Sequence, residues 1–149
     1  MSFVVRRLIT RSDAESEFFA APVFRNTSGS ATIGVSGSPA TIAELSVATG
    51  YHLLLPLHVS ATPSGLGTAE SATINVVAVL DDESTVTLAT RTTAAGSTST
   101  ETFTIDSFDF SAVPDNKRIT TIRVTAESSA TATSATLSVT IVALQLSMY

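Results

Sequence analysis

The second half of the chain alternates apolar and hydroxyl-bearing residues. From Thr100 to Tyr149, valine, isoleucine, leucine and phenylalanine recur at every second position, with serine and threonine between them. Since successive side chains of a strand point to opposite faces, this period predicts strands with one buried face and one face turned to water or to a polar neighbour. The same alternation extends toward the N-terminus as far as about Thr41. This part of the chain contains almost no chemically reactive side chain. The pattern predicts β scaffolding rather than a reaction site.

Turn-forming residues divide this alternation into about eight to ten short strands, a number typical of a sandwich or jelly roll. In the strand predicted over residues 51–60, alternate residues from Tyr51 to Val59 share the core face. Strands predicted over residues 119–127 and 135–148 are expected to pair with each other across the loop between them. The predicted fold class is therefore all-β, an antiparallel β-sandwich that is jelly-roll-like.

Two strands change phase. Phe103 and Ile105 occupy odd positions whereas Phe108 and Phe110 occupy even ones, which predicts a β-bulge or a corner near residues 106–107. The last strand carries apolar residues on one face up to Ile141 and on the other face after it, so it either bulges there or is buried on both faces at its end. The second alternative suits a subunit interface, for which the candidates are Val142, Leu144, Leu146 and Met148.

The sandwich is predicted over residues 41–149, preceded by an N-terminal extended arm and docking segment over residues 1–40. The net charge of -5 is unevenly placed, because the first twelve residues carry +3 and the remainder carries -8. A basic, aromatic arm on an acidic body predicts docking onto an acidic, partly apolar surface. The alternative is that the arginines are solvated side chains on an edge strand. The candidate partner-binding residues are Arg6, Arg7, Arg11, Phe18, Phe19 and Phe24.

Composition narrows the function classes. At 149 residues the chain is long enough for one domain with its own core. It contains no cysteine, which excludes thiol chemistry and thiolate metal sites. A pI near 4.8 argues against a general nucleic-acid binder. The densest apolar run, Leu53 to Leu57, is too short to span a bilayer, and no signal peptide is visible, so the chain is expected to stay where it is made.

Side chains able to do chemistry are few and scattered. His52 and His58 lie six residues apart on one predicted strand, which separates them by roughly 20 Å, too far to share a metal. The acidic residues of the 81–83 turn, and Asp106 with Asp109, lack the alternating ligands of a calcium loop and are interpreted as solvated turns. We therefore expect no catalytic, cofactor-binding or metal-binding residue, no cofactor and no enzymatic activity.

The C-terminal half resembles a known class of protein. The segments FDFSAVPD (108–115), RITTIRV (118–124) and ATLSVTI (135–141) are similar to the closing strands of small jelly-roll proteins on tailed-bacteriophage virions, namely capsid decoration (cement) proteins and fibre heads. The resemblance implies a virion structural protein, commonly a homotrimer, that assembles in the host cytoplasm. Its partner would be the major capsid protein or another virion protein, with neither nucleic acid nor membrane involved.

Two related functions stay open beside decoration. The same fold serves phage fibre and receptor-binding domains, and it also serves carbohydrate-binding modules. Such modules usually stack a sugar on an exposed aromatic ring, but the chain has no tryptophan, and its tyrosines are Tyr51, expected on the core face, and Tyr149. A glycan platform made of aromatic residues is therefore not expected, whereas a site made of polar loops stays open.

Overall fold

Eight strands make up the described part of the protein. The computed structural model describes residues 22–47, 51–96 and 102–147, without the side chains of residues 22, 51–56, 103 and 144–147. Within these ranges no residue is helical, and no segment forms a helix able to cross a membrane. The strands are β1 (Pro22–Thr32), β2 (Ala40–Ser46), β3 (Tyr51–Ser64), β4 (Ala72–Leu80), β5 (Thr85–Thr92), β6 (Phe103–Ile105), β7 (Ile119–Ser128) and β8 (Thr136–Ser147).

The strands form two antiparallel four-stranded sheets. The first sheet has the order β1-β8-β3-β6, and the second has the order β2-β7-β4-β5. The first strand therefore pairs with the last, the second with the seventh, the third with the sixth and the fourth with the fifth. This nested pairing across two packed sheets is the jelly roll. The fold class predicted from the sequence is confirmed.

Alternate residues of both sheets fill the core. The pattern of exposure along β4 and β7 has a period of two, as the hydroxyl and apolar alternation predicts. Each buried side chain removes apolar surface from water and thereby stabilises the sandwich. The largest fully buried apolar side chains are Leu57, Val59, Leu137 and Ile141 in the first sheet and Ile74, Val76, Ile122 and Val124 in the second.

The expected pairing of the last two strands is wrong. β7 lies between β2 and β4 in the second sheet, whereas β8 lies between β1 and β3 in the first sheet. The connection between them crosses from one sheet to the other, and there Ala135 O accepts a hydrogen bond from Ile33 N at 3.0 Å. Alternation fixes which face of a strand meets the core, but it does not fix the partner of that strand.

The sandwich begins earlier than residue 41. β1 pairs with β8 along its whole length, from Pro22 opposite Leu146 to Thr32 opposite Thr136. Beyond β1 the chain crosses to the second sheet, where Gly34 N donates to Ala126 O at 3.0 Å. The described part of the predicted arm, residues 22–40, thus belongs to the sandwich, because its serines and threonines form a strand as well as turns. Residues 1–21 lie outside the described ranges.

The phase change after β6 is a corner. β6 ends at Ile105, and the chain then runs outside any strand until β7. Phe108 and Phe110 pack half-buried against the core with ring centroids 6.3 Å apart. Between them, Asp109 N donates to Leu88 O at 2.9 Å, which ties this segment to β5. The two phenylalanines therefore cover the core from a loop.

Candidate interaction surface

The outer face of the first sheet has an apolar end. Phe24 on β1 is 64% exposed, a large fraction for an aromatic side chain. Phe24 pairs with Leu144 on the neighbouring strand β8, and Leu144 pairs on its other side with Leu54 on β3. Directly opposed residues of antiparallel strands form the closest side-chain pairs of a sheet, so the register decides which residues act together. We define the apolar end as Phe24 and Val142 together with the register positions of Leu54, Leu144 and Leu146.

The β8 members of this end were candidates for an oligomer interface. β8 shows no register shift against β1, so it does not bulge after Ile141. Ile141 and Ala143 are both fully buried, while Val142 between them is half-buried on the opposite face. The first of the two predicted alternatives, a bulge, is therefore wrong, and the second, a strand end buried on both faces, stays a prediction. Leu144 and Leu146 lie in β8 without described side chains, and Met148 lies outside the described residues.

Of the candidate partner-binding residues, too, only some lie in the described part of the chain. Phe24 is described, and Arg6, Arg7, Arg11, Phe18 and Phe19 lie outside the described residues. Phe24 is a candidate for partner binding and Leu144 a candidate for the oligomer interface, and the β1–β8 pairing places them opposite each other. One residue of each predicted site is therefore a register partner of the other in the first sheet.

Next to the apolar end, the outer face carries hydroxyl groups in rows. Three consecutive rows across β1, β8 and β3 contain only serine and threonine. Hydroxyl pairs connect the strands, with 3.0 Å between Ser28 Oγ and Thr140 Oγ1 and 3.1 Å between Ser30 Oγ and Ser138 Oγ. The rows are Ser28, Thr140 and Ser60, then Ser30, Ser138 and Thr62, and then Thr32, Thr136 and Ser64.

The outer face of the second sheet has a different character. Arg123 Nε donates to Glu44 Oε2 at 2.7 Å across β7 and β2. Hydroxyl contacts occur here too, with 3.3 Å between Thr73 Oγ1 and Thr92 Oγ1. This face thus carries both charged and hydroxyl groups, as is usual for a solvated surface.

The acidic turn between β4 and β5 is held by the only lysine of the chain. Lys117 Nζ donates to Asp82 Oδ2 at 2.8 Å, and Ser84 donates to Asp82 Oδ1. The bond from Lys117, followed by those from Ser84, holds the pKa of Asp82 well below its usual range, and the same ion pair raises the pKa of Lys117. Among the described residues, no three histidine or acidic side chains come together as metal ligands.

One buried carboxylate gave no signal in the sequence. Glu70 lies in the loop before β4 and is 9% exposed. Its Oε1 accepts from Gly67 N at 2.9 Å, and its Oε2 accepts a short hydrogen bond from Ser128 Oγ at the end of β7. These bonds, with a further one from Thr133, lower the pKa of Glu70 against the opposing effect of burial. These hydrogen bonds fasten the loop before β4 to the end of β7, and they occupy both oxygens of the carboxylate.

Comparisons with known proteins identify fold likenesses. No protein-family model matches the chain, and no curated protein matches it. Among solved structures, a chain from the disulfide-linked pili of Bacillus endospore appendages has a TM-score of 0.48 and 13% identity, over 97% of this chain and 100% of that one. A chain from infectious bursal disease virus, Gt strain, has a TM-score of 0.45 and 11% identity, over 99% of this chain and 41% of that one. Such remote likeness carries no information about function.

Proposed function

We propose that this chain is a non-enzymatic structural protein of a virion, a capsid decoration (cement) protein that stabilises a phage head by binding the major capsid protein. The observation that carries the proposal is the exposed ring of Phe24 opposite Leu144 at the apolar end. Apolar side chains grouped on a surface favour contact with another protein, because that contact removes them from water.

The arm and Phe24 form one docking region in this proposal. β1 begins at Pro22, two residues before Phe24, so an arm over residues 1–21 would lead directly to Phe24. Phe18 and Phe19 are then within a few residues of Phe24, and the arginines lie further out along the arm. An acidic capsid surface with an apolar patch would complement this order of groups.

The same proposal includes a homotrimer. Val142 is half-buried on the outer face of a central strand and is followed by Leu144 and Leu146 in β8. A subunit interface would cover these residues, while Phe24 and the arm would remain available for the capsid. Assembly in the host cytoplasm and residence in the virion belong to the proposal as well.

Co-sedimentation with capsids that lack the protein tests this function. A variant without residues 1–21 keeps all of β1 and should remain folded, but it should no longer sediment with particles. Phe24→Ser should weaken binding, whereas Val35→Ser, at a valine that is 37% exposed in a turn, should not. Replacing Arg6, Arg7 and Arg11 with alanine should weaken binding in a salt-dependent way. Full occupancy by the truncated chain would contradict the proposal.

A further inference from the structure

A shallow groove lies over the hydroxyl rows of the first sheet. Its volume is about 440 Å³, and it is open to solvent. Six hydroxyl side chains from three neighbouring strands line it, and the strands themselves form a paired, rigid floor. We name it the hydroxyl groove, defined by Ser28, Ser30, Ser60, Thr62, Ser138 and Thr140.

The groove has no charged group in its rows. The rows continue onto β6, where Thr104 lies opposite Ser60 and Thr102 Oγ1 is 2.8 Å from Thr62 Oγ1. Every position of these rows is serine or threonine, in contrast to the ion pair of Arg123 with Glu44 on the other sheet. A charged ligand placed here would lose hydration without gaining a counter-charge, so the groove disfavours it.

Hydroxyl groups both donate and accept hydrogen bonds. A ligand whose own polar groups are mainly hydroxyls can therefore exchange its bonds to water for bonds to these side chains without leaving a group unpaired. The hydroxyls in the groove already pair across the strands, at 3.0 Å for Ser28 with Thr140, which orients them before a ligand arrives. We infer that the hydroxyl groove is a binding site for a neutral glycan.

This activity goes beyond the proposed docking function and uses different residues. The groove lies on the same face as Val142 and adjoins the row of Asn26, Val142 and His58. His58 is exposed and adjoins the row that contains Ser60. In the proposed assembly, a copy bound to a particle through the arm and Phe24 presents the groove to glycans at a cell surface.

Calorimetric titration with defined glycans tests the inference. The probes are hexamers of glucose, mannose, galactose and N-acetylglucosamine, with hyaluronan hexamer and sialyllactose as anionic counterparts. At least one neutral hexamer should bind, and no anionic probe should bind more tightly. Ser30→Ala combined with Ser138→Ala should reduce affinity for that hexamer at least tenfold while leaving the melting temperature and particle binding unchanged.

The matched control is Thr73→Val combined with Thr92→Val, which removes a hydroxyl pair from the outer face of the second sheet. This variant should bind the neutral hexamer as the parent chain does. The inference is overturned if no neutral hexamer binds at millimolar concentration, if an anionic probe binds best, or if both double variants lose affinity equally. It is also overturned if the Ser30 and Ser138 variant instead abolishes self-association, since the occupant would then be a second copy of the chain.

Discussion

Phe24 lies directly opposite Leu144 in the antiparallel pair of β1 and β8. The first residue belongs to the segment that the sequence analysis assigned to a docking arm, and the second belongs to the predicted oligomer interface. Their opposition makes the β1–β8 pair common to the predicted arm and the predicted interface. The jelly roll creates this relationship because it pairs its first strand with its last.

The core prediction concerns Leu57, which is 1% exposed on β3. Leu57→Ala should reduce the free energy of unfolding by about 2–5 kcal/mol through lost burial and the cavity left behind. The control is Thr87→Ala at an exposed position of β5, which should change stability by less than about 0.5 kcal/mol. Urea unfolding measures both, and equal small losses would show that Leu57 lies at the surface.

Close packing of β1 on β2 gives a second prediction. A Cβ added at Gly29 would lie 2.3 Å from the backbone oxygen of Ile42, so the two strands approach too closely for any side chain there. Gly29→Ala should therefore destabilise the protein by about 1–3 kcal/mol. At Gly67 the added Cβ would meet its nearest atom at 3.4 Å, so Gly67→Ala should be far milder. Equal melting temperatures for the two variants would contradict the close approach.

The pH dependence of stability should report on Glu70. Its pKa is lowered in the folded state, so its contribution is fully present above the unfolded value of about 4.3 and is lost as the pH falls through the folded value. Glu70→Gln should therefore unfold at a lower temperature than the parent chain at pH 7, and the difference should narrow below pH ~4. Glu44→Gln, at an exposed ion pair, should have a smaller effect. A gap that widens in acid would contradict the assignment.

The sequence predicts the strands of this protein better than it predicts how the strands are arranged in the sheets. The period of two predicts the strands and their core faces, as Ile122 and Val124 show by being fully buried. It does not predict that β7 and β8 belong to different sheets, because either arrangement buries the same faces. The meeting of Phe24 with Leu144 depends on that topology, and so do the rows of hydroxyls. The sequence does not predict the role of Glu70, because Ser128, which donates to its carboxylate, lies 58 residues further along the chain.

The subunit interface gives a prediction with a matched control. Light scattering should report a mass near three times the 15.4 kDa chain, and Val142→Asp should dissociate the trimer because it places a charge in an apolar contact. Val77→Asp makes the same change at a half-buried valine on the outer face of the second sheet, and it should leave the mass unchanged. A monomeric parent chain at micromolar concentration would contradict the interface.

Electron microscopy of the purified particle tests the central claim most directly. A reconstruction of particles carrying the full chain should contain jelly-roll density in groups of three on the outside of the capsid shell. The β1 end of each copy, at Pro22, should point toward the major capsid protein, and this density should be absent from particles assembled without the chain. Density at a fibre or tail tip, or no density on particles saturated with the protein, would contradict the decoration function.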